Sequence, residues 1–307
     1  MDQKIIATIG TFDGVHVGHQ DLFAQMRHYA DRYPSARLLI LTFVPYPADV
    51  LRPSGRQHID PVQRHLEHLS QIEGFELVPM TFSEELASHS AETFLREVLR
   101  DQLHVTDLFL GYDNRFGAGA RLSFEEYQAL GAQYGIKVLQ ADSLSLEGEV
   151  VSSTWIKACI SRGEMREAYR ALGRPYAVFG TVVTGQQLGR RLGYPTANIR
   201  REDPDQLLPP DGVYACDLEL HRPSGEAEKH HAMLYIGKRP TLGGELERTI
   251  EVHILDFDEM IYGMEVSVHI FEQLHPERRF ASTEELRTAL AAYEADTRRY
   301  FAENTRY

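Results

Sequence analysis

Apolar and polar positions change rhythm once along this chain of 307 residues. Up to about residue 173, short apolar runs alternate with segments of helical period. The runs at 4–9, 36–42, 77–81, 107–110 and 136–140 read as strands, and the stretches around 19–31, 61–71, 91–103 and 123–134 as helices. That alternation predicts a doubly wound parallel sheet, with ligands at the carboxyl ends of its strands. Two further helices, near 154–161 and 164–172, close the region. Beyond Gly173 the runs are closely spaced, at 176–183, 212–221, 231–237, 249–257 and 265–274, with turn residues between them. In the last run Val266, Val268 and Ile270 share one face, opposite Glu265, Ser267 and His269. Such runs fit a small antiparallel β-barrel. A C-terminal helix starts at Ser282-Thr283-Glu284-Glu285, where either hydroxyl can cap it, and continues through Leu286, Leu290 and Tyr293. The change of rhythm sets an expected boundary near Arg174-Pro175, and so domains 1–174 and 175–307.

Composition narrows the class. Hydrophobic residues make up 43% and charged residues 25%, the balance of an ordinary globular protein long enough for two cores. No apolar stretch approaches the ~20 residues that cross a bilayer, so no membrane partner is expected. Met1-Asp2-Gln3-Lys4 leads straight into the first strand with no signal peptide, and the two cysteines, Cys159 and Cys216, lie far apart. Reduced thiols and a cytoplasmic location follow as expectations. A net charge of −13 argues against a duplex nucleic acid, which demands a broad basic face. The expected partners are small molecules; a weak homo-oligomer stays open.

The chemistry is densest at residues 9–20, Ile-Gly-Thr-Phe-Asp-Gly-Val-His-Val-Gly-His-Gln. A buried strand breaks at Gly10 and a helix resumes with Leu22, Phe23, Met26, Tyr29 and Ala30 on one face, so His16 and His19 fall at a helix N-terminus. Unpaired N–H groups and a partial positive charge there favour phosphate. Gly14 and Gly18 leave room for a ligand against the backbone. Imidazoles at that place can hydrogen-bond phosphate oxygens whose charge grows as phosphorus is attacked. Two metal ligands is the competing reading, but no Cys or carboxylate lies nearby at zinc-site spacing.

The string from Gly10 to His19 resembles the signature of HxGH nucleotidyltransferases, and Gly-Thr-Phe-Asp-Gly-Val-His resembles the branch that adenylates FMN. The chain as a whole is similar to the bacterial bifunctional riboflavin kinase/FMN adenylyltransferase (FAD synthetase) family. The resemblance implies that His16 and His19 stabilise the transition state of adenylyl transfer, with Gly10, Phe12, Gly14 and Gly18 around ATP. Val150-Val151-Ser152-Ser153-Thr154-Trp155-Ile156-Lys157 reads by itself as an N-cap. It also resembles the family's Ser-Ser-Thr-x-Ile-Arg, which implies that Ser152, Ser153, Thr154 and Lys157 hold ATP phosphates. Lys157 keeps the charge of the family's Arg but not its bidentate fork. Leu110-Gly111-Tyr112-Asp113-Asn114-Arg115-Phe116-Gly117 resembles a loop lining the nucleotide and flavin, with Asn114 in place of an aromatic. Arg115 is then a phosphate clamp, and Asp113 and Asn114 flavin contacts. Val44 and Tyr46 stand where relatives carry Asp and His; they receive no polar role, and Phe43, Pro45 and Pro47 read as a rigid loop wall.

The second half lacks a Walker A pattern, because Gly185-Gln186-Gln187-Leu188-Gly189-Arg190-Arg191 has no Gly-Lys-Ser/Thr ending. The longer string Gly180-Thr181-Val182-Val183 to Gly193-Tyr194-Pro195-Thr196-Ala197-Asn198 resembles the riboflavin kinase signature. The resemblance puts Gly185, Gly189 and Arg190 at the nucleotide and makes Thr196 and Asn198 Mg²⁺ ligands, hard neutral oxygens of a kind Mg²⁺ accepts. The strand Thr249-Ile250-Glu251-Val252-His253-Ile254 resembles the one whose Glu is the base for the riboflavin hydroxyl. A solvent-facing carboxylate is the alternative for Glu251. Tyr235-Ile236-Gly237-Lys238-Arg239-Pro240-Thr241 matches a family motif with Tyr235 in place of Asn. Leu274-His275-Pro276-Glu277-Arg278-Arg279-Phe280 resembles a flavin-side loop carrying His275 and Glu277, with a titratable His275 where relatives have Arg. The implied activities make FMN from riboflavin and FAD from FMN, with ATP as co-substrate and Mg²⁺ as cofactor. Two other readings stay open: a flavin-binding regulator or carrier with one dead module, and a nucleotidyltransferase for another phosphate-bearing acceptor.

Overall fold

The computed structural model describes residues 3–51, 57–119, 122–185, 189, 192–240 and 246–304, and divides into two compact units, Met1–Ser153 and Thr154–Tyr307. The first is built on five parallel strands, β1 (Ile5–Ile9), β2 (Arg37–Val44), β3 (Glu76–Thr81), β4 (Asp107–Leu110) and β5 (Lys137–Gln140). They lie in the order β3-β2-β1-β4-β5, so the chain reverses direction across the sheet between β1 and β4. Parallel strands need covering on both faces, and the sequence supplies two apolar sets in alternation. Ile5, Ala7, Ile9, Leu39, Leu41, Leu108 and Leu110 point to one side. Ile6, Ile40 and Phe109 point to the other, where they meet Leu22, Phe23, Met26 and Tyr29 of α1 (Val17–Ala30).

The remaining helices of this unit are α2 (Pro47–Leu51), α3 (Val62–Ser70), α4 (Glu84–Ser88), α5 and α6 (Phe124–Gln133). In α5 the chain is α-helical over Ala91–Thr93 and π-helical over Phe94–Gln102, a widening that the spacing of Phe94, Leu95, Val98 and Leu99 did not announce. A capping box closes α6, with Ser123 Oγ accepting from Glu126 N–H and the Glu126 carboxylate accepting from Ser123 N–H. A two-strand hairpin of β6 (Ser145–Leu146) and β7 (Glu149–Val150), too short to show in the pattern, precedes the end of the unit.

The second unit begins with α7 (Ser153–Arg162) and α8 (Met165–Leu172), which the sequence expectation had grouped with the first half. The barrel follows: β8 (Tyr176–Val183), β9 (Ala197–Arg201), β10 (Gly212–His221), β11 (Ala227–Pro240), β12 (Leu246–Ile254) and β13 (Glu265–Pro276), closed in the order β10-β11-β12-β9-β8-β13. Val266, Val268 and Ile270 do turn inward, meeting Leu220, Leu218 and Cys216 across one ladder and Gly180, Val178 and Tyr176 across the other. β9 was not expected, since Ala-Asn-Ile-Arg-Arg offers one large apolar residue, Ile199, which pairs with Ile250 inside the barrel. β12 stops at Ile254 rather than running to 257, because Asp256 adopts φ 56° and turns the chain out of the ladder. The last helix, α9 (Thr283–Glu303), takes Ser282 as its cap, with Oγ accepting from Glu285 N–H at 3.1 Å.

One buried charge ties the parallel sheet together. Asp107, fully buried, accepts from Lys4 Nζ (2.8 Å), Tyr29 OH (2.7 Å) and Thr106 Oγ1 (2.6 Å). Burial alone would raise its pKa, but these three bonds hold it below the usual carboxylate value. Asp107→Ala strands the Lys4 ammonium and the Tyr29 hydroxyl, and should cost about 2–4 kcal/mol in denaturant unfolding.

Candidate active sites

In the first unit, β1 delivers the chain to Gly10, whose N–H still donates to Leu41 O at 3.1 Å. The next residues coil tightly: Phe12, Gly14 and Val15 have φ of 48°, 83° and 39°. Gly14 adopts this freely, whereas Phe12 and the β-branched Val15 are strained there. Such strain persists where a loop is held for a purpose. A Cβ on Gly10 would come within 3.0 Å of the Phe12 ring, so the glycine lets that ring fold over the strand end.

α1 then starts with His16 as its N-cap. His16 Nδ1 accepts from the His19 backbone N–H at 3.3 Å, so the neutral ring carries its proton on Nε2 and offers a donor. The His19 ring stacks on His16, with centroids 3.5 Å apart and planes at 20°, and the Phe12 edge meets His19 at 5.1 Å. Burial pulls the His16 pKa down to about 4. Burial likewise holds His19 well below its ordinary value, with smaller contributions from His16 and His65, although the residue is only half-buried by surface area. Both imidazoles are therefore neutral near pH 7, at the positive end of a helix dipole. A Cβ on Gly18 would sit 3.2 Å from the His16 ring and 3.3 Å from Val151 O.

Three supporting residues went unmarked in the sequence. Buried Asp13 accepts at Oδ1 from the N–H groups of Ile59 (3.0 Å) and Asp60 (3.3 Å), and its carbonyl accepts from Ser153 Oγ (2.9 Å). Thr42 Oγ1 lies 3.2 Å from Nε2 of fully buried His65, whose pKa falls to about 4, again chiefly by burial. Asp13 stood inside the motif, and His65 lies four residues before Leu69 on the buried face of α3; that phase was the available signal. Tyr46, which received no polar role, is buried, donates to Asp60 O at 3.1 Å and stacks on His58.

The other predicted residues fall at varied distances from this centre. Asn114 donates its side-chain amide to Ile9 O, at the carboxyl end of β1. Arg115 and Asp113 are exposed, and Arg115 donates to Asn114 O at 2.7 Å. Ser152 is half-buried; Thr154 and Lys157 lie on α7, in the second unit.

In the barrel the predicted kinase residues do come together. Glu251 pairs with Asn198 across one ladder and with Tyr235 across the other, and Asn198 pairs with Val183. Ile250 and Val252 point inward, so this row lies on the outer face. Glu251 is nonetheless buried, and Thr196 Oγ1 donates to Glu251 Oε2 at 3.3 Å. The Asn198 amide packs on Gly185, where a Cβ would be 2.2 Å from Nδ2. Gly189 approaches the Tyr194 carbonyl as closely; Arg190 lies outside the described residues. A cleft of about 160 Å³ opens beside this group, bordered by Thr196, Ala197, Val252, Phe257, Met260 and Tyr262. His275 is set apart from it, bonded through Nε2 to Asp296 at 2.8 Å, and Glu277 is exposed. Among the described residues no cluster of three or more His, Cys, Asp or Glu forms a metal site, and no helix is long and apolar enough to cross a membrane.

Comparison with known proteins identifies the family. A family model described as FAD synthetase matches residues 1–155, and one described as riboflavin kinase matches residues 172–301. The chain is 34% identical over 291 residues to a bifunctional riboflavin kinase/FMN adenylyltransferase of Pseudomonas fluorescens, covering 94% of this chain and 90% of that protein. It is 32% identical over 306 residues to the protein of that description from Listeria monocytogenes, covering 98% and 94%. A crystal structure from Streptococcus pneumoniae, described as a macrolide-efflux protein, aligns with a TM-score of 0.84 at 31% identity, over 97% of this chain and 95% of that one.

The depressed histidines set a pH dependence of stability. In the unfolded chain His16 and His65 take up protons below about 6.5, whereas folded they resist until about 4. Stability is therefore full above pH 6.5 and falls as pH drops through that window, by on the order of a few kcal/mol. Thermal unfolding between pH 7 and 4.5 should show this decline, and His65→Leu should make it shallower.

Proposed function

The chain belongs to the bifunctional riboflavin kinase/FMN adenylyltransferase family, and from that premise we propose that it converts riboflavin to FMN and FMN to FAD, consuming ATP in each step. Adenylyl transfer is assigned to residues 1–174 and the kinase to residues 175–307. The observation that carries the reading is that each half draws its motif residues together: His16 and His19 stack at the start of α1, and Glu251 lies beside Thr196 and Asn198.

In adenylyl transfer a phosphate oxygen of FMN attacks the α-phosphorus of ATP, the bond to the bridging oxygen breaks, and pyrophosphate leaves. No enzyme nucleophile is required, so positioning and charge neutralisation carry the rate. The Nε2–H of His16 and the free N–H groups of α1 donate to the phosphate oxygens as charge accumulates, and the stacked His19 does so beside it. Arg115, Ser152, Ser153, Thr154 and Lys157 are proposed phosphate contacts, and Asp113 and Asn114 flavin contacts.

In the kinase step the riboflavin 5′-hydroxyl attacks the γ-phosphorus of ATP, Glu251 takes its proton, and ADP leaves. Glu251 accepts a hydrogen bond from the Thr196 hydroxyl, and a carboxylate retains lone pairs that can receive the hydroxyl of a second alcohol. That same bond leaves the lone pairs of Thr196 Oγ1 facing away from the carboxylate. With the Asn198 amide oxygen they make a neutral oxygen pair suited to Mg²⁺. Thr196 and Asn198 would hold the ion, which supplies neutralisation of phosphate charge when bound. His275 and Glu277 are proposed flavin-side residues. The proposed partners are small molecules and not nucleic acid, a weak homo-oligomer remaining open, and the buried free thiols Cys159 and Cys216 suit a cytoplasmic setting.

Incubation with riboflavin and Mg-ATP should yield FMN first and FAD after it, resolved by chromatography over time. His19→Ala should cut FAD formation by at least about 100-fold while FMN formation persists; equal loss of both products contradicts the assignment. Gly185→Ala should push Asn198 aside and reduce FMN formation alone, by about tenfold or more.

A further inference from the structure

The main-chain ladder between β12 and β9 stops one residue short of the group it must position. Glu251 pairs with Asn198 and Val252 with Ala197, and there the registered pairing ends. Thr196, next in line, leaves the ladder and reaches back with its hydroxyl to Glu251. Something other than the ladder has to fix the backbone on the far side of Thr196. His253 does this: its Nδ1 lies 2.8 Å from the Pro195 carbonyl, and its ring meets the edge of Tyr194 at 5.5 Å. A carbonyl only accepts, so Nδ1 carries the proton and donates.

We propose that His253 is a positioning residue of the kinase site, whose Nδ1–H replaces the missing rung and holds the Tyr194–Asn198 turn on β12. His253 stands two residues from Glu251 on the same outer face of the strand, so one strand carries both the proton acceptor and the clamp for the turn facing it. The His253 ring is buried although Pro195 itself is exposed, so the donor is held in place from the strand side. Proline contributes no N–H, and its carbonyl is the group at that residue through which the turn can be tied down. The effect is specific: Thr196 and Asn198 flank Ala197, and a slip of this turn moves both oxygens relative to Glu251.

The proposal rests on the kinase reading above, and the adenylyl-transfer activity of the same chain serves as an internal control of folding. His253→Leu removes the donor at similar size; His253→Asn places an amide N–H where Nδ1–H stands. In the full-length protein, His253→Leu should raise the KM for Mg-ATP in FMN formation by about tenfold or more, with the KM for riboflavin within about twofold. Calorimetric titration with ADP and Mg²⁺ should weaken in parallel, FMN adenylylation should be unchanged, and His253→Asn should recover most of the loss. Kinase kinetics of His253→Leu within about twofold of wild type would overturn the proposal. So would equal impairment of both variants with adenylylation intact. If His253→Leu loses both activities through misfolding, His253→Asn decides alone: a near-normal KM for Mg-ATP supports the clamp, and a raised one overturns it. If the wild-type chain makes no FMN, the kinase reading fails, while the ADP titration still decides on His253.

Discussion

An ionisable side chain taken out of water must give up its charge or find a partner, and both halves of this chain are arranged around that constraint. Asp107 meets it by partnership, with Lys4, Tyr29 and Thr106 converging on one carboxylate in the middle of the parallel sheet. His16 and His65 meet it by staying neutral, with pKa values near 4. Glu251 is buried beside a hydroxyl that donates to it. His16 and Glu251 are thus held largely out of water, where a nearby charge acts more strongly than it would in solvent.

Architecture decides where such places arise. In the first unit the strand order reverses between β1 and β4, and the His16–His19 pair sits just past the carboxyl end of β1, at that reversal. In the second unit a closed barrel leaves no strand end of that kind. The Glu251–Asn198 row runs along the outer face, where β9 joins β12 and Gly185 packs against the Asn198 amide. On the proposed reading two unrelated scaffolds meet ATP phosphates differently: a helix N-terminus with neutral imidazoles in one, and in the other the Thr196 and Asn198 oxygens, which would hold a cation.

Long periodic elements were legible in the sequence because burial forces their pattern. The alternation of Ile5, Ala7 and Ile9 with Ile6 places side chains on two covered faces, and the triplet Val266, Val268, Ile270 fills the barrel interior. Elements whose stability comes from neighbours were not legible. β9 has a single large apolar residue, and β6 and β7 are two residues each. The π-helical stretch Phe94–Gln102 changes hydrogen-bond partners without changing which residues are apolar. Of the candidate site, His16, His19, Thr196, Asn198 and Glu251 are singled out by motif, and the structure stacks His16 on His19 and brings Thr196 and Asn198 to Glu251. The contacts that hold them could not be read in advance: Thr42 meets His65 across 23 positions, and His253 meets Pro195 across 58. Asn114, taken as a flavin contact, turns its amide to the Ile9 carbonyl, a partner that appears once β4 lies beside β1.

The central proposal is that one chain carries two phosphate-transfer sites, each able to turn over its own substrate. Complementation in solution tests it most directly. His19→Ala and Glu251→Gln proteins, each unable to take riboflavin to FAD alone, are mixed with riboflavin and Mg-ATP, and FAD is followed over time. The account predicts that the mixture makes FAD after a lag in which FMN accumulates. Accumulation of FMN without FAD, from two proteins each shown to retain its own half-reaction, would contradict it.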